Sequence, residues 1–127
     1  MKRYEAIEFP ALQVQECCCG TVRRAFAANE ESPASVHLLE LADEPTCHYH
    51  KKTTEIYVIL EGEGHLELDG DRVPVGPMSA VMIKPGCRHR GLGTLKLYNI
   101  SIPRFDPDDF FYDDEDAVSA DGEKPVH

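Results

Sequence analysis

Turn-forming residues break this chain every eight to twelve positions. The segments between them are rich in β-branched and aromatic side chains, a rhythm too short for packed helices and suited to strands. The expected strands cover residues 13–22, 35–42, 46–50, 54–60, 65–69, 72–75, 80–83 and 95–102. Gly, Pro, Asn and Asp mark the turns between them, at 29–33, 43–45, 62–64, 69–71, 76–77, 85–86 and 91–93. Asp69-Gly70 is a short hairpin signal, because Gly supplies the positive φ of a tight turn. Only residues 22–28 leave room for a short helix. Short antiparallel strands in a chain of 127 residues must each bury a face, and the closed solutions are a sandwich or a small barrel enclosing a pocket. Ile56, Tyr57, Val58, Ile59 and Leu60 are apolar at every position. The outer face of that strand therefore needs cover as well, from another sheet or a second subunit.

Charge narrows the partners. Thirteen Lys and Arg against 23 Asp and Glu leave a net charge of −10, which repels a phosphate backbone and excludes nucleic acid as the expected partner. From Arg104 onward nine acids face two bases, so residues 1–112 are expected to form one domain and residues 113–127 an acidic, flexible tail. Phe105, Phe110, Phe111 and Tyr112 interrupt the acidic stretch, and aromatic rings of that size imply a strap docked on the body. The first twelve residues carry Lys2, Arg3, Glu5 and Glu8 without an unbroken apolar run. That pattern fits neither a signal peptide nor a spanning helix, and a cytoplasmic setting away from membranes is the expectation. Cys17, Cys18 and Cys19 are consecutive, so they alternate across a strand and cannot gather around one ion; they read as small packing residues in a reducing compartment.

Four residues have side chains that ligate metals in a suggestive order. His48 and His50 are two apart and share a strand face. Glu55 follows after four residues that must turn the chain to bring the carboxylate back on a neighbouring strand, and His89 follows the Pro85-Gly86 turn on a short extended segment. Three imidazoles and one carboxylate suit Fe(II), Mn(II), Ni(II), Zn(II) or Co(II). His37, His65 and His127 read as ordinary polar residues, with His65 on a solvated face beside Glu67 and Asp69. Tyr57 shares the face of Glu55 and is the weak candidate for a catalytic group; Cys47 and Tyr49 point away from the His48 face, and Arg88 and Arg90 point away from His89. Cys87, beside the turn before His89, is the one thiol with a case for reactivity.

The string His48-Tyr49-His50, four residues, Glu55, six residues, Gly62 resembles the first motif of the cupin superfamily, and Gly76, Pro85, Gly86 and His89 resemble the second, more loosely. Ala42 stands at the opening glycine of the first motif, Lys84 at a common proline of the second, and Gly93 at its closing asparagine. The chain looks most like the short single-domain cupins described as similar to the C-terminal part of mannose-6-phosphate isomerase. The resemblance implies an all-β double-stranded β-helix, a jelly-roll barrel, with one divalent transition metal ion on His48, His50, Glu55 and His89 and often a homodimer. It leaves function open between dioxygenase-like or sugar isomerase-like or epimerase-like chemistry on a small oxygenated metabolite and a non-catalytic module that binds a sugar or carboxylate. An ion that only staples the barrel is the least favoured reading, since structural sites use cysteine more heavily.

Overall fold

The structure, a computed structural model, describes residues 2–17, 20–42 and 45–113. After a short 3-10 turn at Phe9–Ala11 come eleven strands: β1 (Gln15–Cys17), β2 (Gly20–Ala25), β3 (Ser35–Leu41), β4 (His48–Tyr49), β5 (Thr54–Glu61), β6 (Gly64–Leu68), β7 (Asp71–Val75), β8 (Ala80–Ile83), β9 (His89–Leu92), β10 (Leu95–Ile102) and β11 (Phe111–Tyr112). They form two sheets, in the orders β1-β2-β3-β10-β5-β8 and β11-β4-β9-β6-β7. The pairings within both sheets are antiparallel. This is the expected all-β barrel of two layers.

Alternation decides what faces inward. Along β5, Glu55, Tyr57 and Ile59 are buried while Ile56, Val58 and Leu60 are half-buried. Val22, Leu39, Leu41, Ile59, Leu66, Val75, Ile83, Leu95 and Leu97 fill the interior as one apolar cluster. The polar inward residues Ser35, His37, His48, Glu55, His89, Asn99 and Ser101 are buried as well. Part of the cover for the outer face is the N-terminal segment: the Phe9 ring lies 5.6 Å from that of Tyr98, and Arg23 Nη1 donates to the carbonyls of Phe9 and Leu12.

Three expectations change. The strand expected over 13–22 is two strands, with Cys17 opposite Gly20; Cys18 and Cys19 lie outside the described residues. Residues 22–25 continue β2 instead of opening a helix, because Val22 and Ala25 are buried in the sheet. Gly91 sits inside β9 and not in a turn: a Cβ there would be 2.6 Å from Leu41 Cδ1, so this glycine marks a close approach of the two layers. Asp69 and Gly70 do form the β6–β7 hairpin turn, both with positive φ. The expected tail lies outside the described residues except for Asp113, whose carboxylate accepts from Arg88.

Candidate metal centre

β4 is only two residues long, yet it sets the site. His48 pairs directly with His89 at the start of β9, and His50 follows on the same side. His48 is 6% exposed and His50 9%. Tyr49 turns outward, where the Arg88 guanidinium lies 3.6 Å from its ring centre. Glu55 projects inward from β5, in the other sheet. The residues between His50 and Glu55 therefore carry the chain across the barrel, not to a neighbouring strand of the same sheet.

That crossing is held by a residue distant in sequence. The Asp109 carboxylate accepts from the backbone N–H groups of Lys51 (2.8 Å), Lys52 (3.0 Å) and Thr53 (3.0 Å), and from the Thr53 hydroxyl (2.8 Å). Burial alone would favour its protonated form, but these donors outweigh burial and hold its pKa below the usual value. The Asp109 carbonyl also accepts from His50 Nδ1, and the Cys87 carbonyl accepts from His89 Nδ1 at 2.9 Å. A carbonyl can only accept, so both Nδ1 atoms carry hydrogen and both Nε2 atoms are left for the interior.

The four predicted side chains converge. Glu55 Oε1 stands 3.1 Å from His50 Nε2 and 3.0 Å from His89 Nε2, and one ligand-type atom from each of His48, His50, Glu55 and His89 lies within 4.8 Å of the others. His50 Nε2, His89 Nε2 and Glu55 Oε1 are buried with no hydrogen-bond partner among the described residues; the two Glu55 contacts have ion-pair distance without hydrogen-bond direction. Buried polar atoms left unpaired cost roughly 1–3 kcal/mol each, so three in one cluster call for a shared partner. Two atoms bound at about 2.1 Å to one ion lie about 3.0–3.4 Å apart, and the two Glu55 spacings fall in that range. These residues could hold a divalent ion.

Electrostatics at Glu55 and His48 agree with that use. Burial disfavours an ionised Glu55, yet the imidazoles of His50 and His89 hold it well below the usual carboxylate range. Burial also disfavours protonation of His50, but the Glu55 carboxylate outweighs it and raises the pKa. His48 is pushed well below its ordinary value by burial and then by His89, which leaves a neutral imidazole suited to ligation.

A family model described as a cupin domain matches residues 35–94. A protein from Planctomyces limnophilus of known crystal structure is 32% identical, with a TM-score of 0.80 over 86% of this chain and 96% of that one. The chain belongs to the cupin superfamily. Two further solved structures share the fold of this cupin at 15% identity and TM-score 0.72: the nucleoside dehydratase Pac13 of Streptomyces, over 87% of this chain and 94% of that one, and the ectoine synthase of P. lautus, over 80% of each. No curated protein matches the chain by sequence.

The barrel of this cupin encloses a cavity of about 60 Å³. His48, His50 and Glu55 line it, as do Tyr57, Arg24, His37 and Asn99. Tyr57 borders the cavity as its position on β5 predicts, 6% exposed and edge-on to His89 at 6.2 Å between ring centres. Phe110 closes the metal side, stacked on His48 at 4.3 Å and 10°. Phe105 packs edge-on to His37 at 5.6 Å and beneath the Arg24 guanidinium at 4.0 Å. The aromatic strap therefore lies across the cavity.

The other candidates fall away from the centre. Arg88 holds Asp113 and the Gly86 carbonyl, and Arg90 holds Glu67, so both point outward as alternation predicts. Burial raises the pKa of Cys87 and of Cys47, which favours the thiol form of both. His65 is half-buried, and His127 lies outside the described residues. Sequence reasoning missed Asp109, Asn99, Arg24 and the cavity role of His37. His37 and Asn99 had a local signal, the alternation of Ser35, His37, Leu39 and Leu41 on one face of β3 and of Leu95, Leu97, Asn99 and Ser101 on one face of β10.

Proposed function

We propose that this cupin holds one divalent transition metal ion (Fe, Mn, Ni, Zn or Co) on His48, His50, Glu55 and His89 and acts on a small oxygenated metabolite. The observation that carries the reading is the cluster of buried, unpartnered ligand atoms at the wall of the barrel cavity. When bound, the ion would supply Lewis-acid or redox chemistry of the dioxygenase-like or isomerase-like and epimerase-like kinds. The chain's own residues do the rest. Asn99 Nδ2 donates to Glu55 Oε2 at 2.8 Å and fixes the carboxylate. The carbonyls of Asp109 and Cys87 fix two imidazoles, Phe110 shields the centre from water, and Tyr57 borders the cavity as the candidate for moving a proton. The dehydratase and the ectoine synthase are enzymes on this fold, which supports a small-metabolite site but carries no substrate across.

One observation favours the alternative, a metal-holding module that binds a sugar or carboxylate without turnover. Burial, helped by the nearby Arg24 cation, lowers the pKa of His37 to about 4, so this cavity imidazole is a poor base at neutral pH. We further propose a homodimer through the outer face of the six-stranded sheet, where Met82 is 59% and Ile102 44% exposed. A cytoplasmic setting would keep the thiols of Cys47 and Cys87 reduced. Among the described residues no helix is long and apolar enough to cross a membrane.

Elemental analysis of tag-free protein tests the centre. Wild type should carry about one transition-metal ion per chain and His50→Ala less than about a tenth of that. Equal metal content in the two would end the assignment.

A further inference from the structure

Beside the ligand cluster, one buried polar atom has no explanation in the metal reading. Asn99 is 6% exposed on β10, in register with His37 on β3 and with Tyr57 on β5, and all three line the cavity. Glu55 Oε2 is an ionised acceptor, so the Asn99 group that faces it must be the NH₂. The amide carbonyl is thereby turned away from the cluster, and Asn99 Oδ1 is buried with no hydrogen-bond partner among the described residues. Leaving such an acceptor dry costs the full desolvation penalty of the group. The amide cannot rotate to relieve this, because rotation would set two acceptors against each other at Glu55.

His37 shapes the same patch. It is 3% exposed, with Nε2 2.8 Å from Ser35 Oγ, and Ser35 Oγ also accepts the Phe105 amide at 2.8 Å. The strap thus pins the serine, and the serine pins the imidazole. Burial keeps that ring uncharged at neutral pH, so it adds no charge next to the orphaned carbonyl.

We propose that Asn99 and His37 form a recognition subsite for a ligand hydroxyl, which donates to Asn99 Oδ1 while a neighbouring pair of ligand oxygens faces the metal centre. The proposal deepens the metal-site reading and rests on it. It assigns the ligand to small polyoxygenated molecules with at least three adjacent oxygen-bearing carbons. The cavity volume of about 60 Å³ limits the enclosed part to a few heavy atoms. A hydroxyl meets both needs of the patch, as donor to a carbonyl and as a neutral group that tolerates an uncharged imidazole.

Glycerate and lactate differ at this point by one hydroxyl, on carbon 3, and share the carboxylate and 2-hydroxyl that would face the metal. Binding of both enantiomers of each is to be measured by calorimetry on the full chain loaded with Co(II), with cobalt content determined on the same samples. Wild type should bind one glycerate enantiomer about tenfold more tightly than the matching lactate. Asn99→Ala should bring that ratio to about one. His37→Phe, which leaves the partner of Glu55 in place, should reduce it about threefold. Equal affinities in the loaded wild type, no response to either acid, or a ratio preserved in both variants would each overturn the subsite, leaving only a trapped water as the partner of Asn99. Protein that takes up no cobalt would overturn the metal reading and the subsite together.

Discussion

A single carboxylate, Asp109, shows how much one side chain settles. It satisfies three consecutive backbone N–H groups and a hydroxyl in the crossing between His50 and Glu55, at 2% exposure. Removing it leaves the Thr53 amide and hydroxyl buried and dry, and strips the part-buried amides of Lys51 and Lys52 of their acceptor. Asp109→Ala should therefore destabilise the protein by about 3 kcal/mol in urea unfolding and weaken metal binding about tenfold or more; a change within about 0.5 kcal/mol would contradict the role. His37 gives a prediction with a sign. Its pKa is about 4 in the folded chain against 6.5 ordinarily, so between those values the unfolded chain binds a proton that the folded chain does not. Its contribution is complete above pH 6.5 and is lost as pH falls toward 4, by about 3 kcal/mol at most. Unfolding measured across that window should fall more steeply with acid for wild type than for His37→Gln, and parallel curves would refute it.

Among the elements, the barrel's short links are as constrained as its strands. Gly62, the closing glycine of the first motif, has φ +92°, and a Cβ there would lie 2.1 Å from the Thr94 carbonyl oxygen. The link from β5 to β6 passes against the link from β9 to β10 with no room for a side chain. Gly62→Ala should cost more than about 2 kcal/mol, read from the denaturation midpoint, whereas Gly70→Ala meets nothing within 4 Å and should cost only the strain of its positive φ, about 1 kcal/mol. Equal losses would show that crowding at Thr94 is not the reason for the motif glycine. The hairpin at Asp69-Gly70 and the alternation on β3 and β5 were readable because each is settled by neighbours two residues apart. Gly91 was misread as a turn because its role depends on Leu41, fifty positions earlier.

For the molecule as a whole, the strap joins what the two sheets build separately. Phe105 packs on His37 of one sheet, Phe110 on His48 of the other, and β11 extends the five-stranded sheet through Phe111 opposite Tyr49. Deleting residues 106–127 should lower Tm by more than about 8 °C and leave the metal centre open to water. An unchanged Tm would refute the docking. The net charge of −10 has no visible part in the site, where the only cation lining the cavity among the described residues is Arg24.

The amino-acid order alone determined the all-β class, one hairpin, and the identity of four candidate ligands, since strand alternation and turn chemistry act over a few residues. It could not show that His50 and Glu55 sit on different sheets, that Asp109 holds the crossing between them, or that Asn99 clamps Glu55. The last two relations join residues 59 and 44 positions apart through backbone that folds back on itself. No local spacing encodes a contact whose geometry exists only once both sheets have closed.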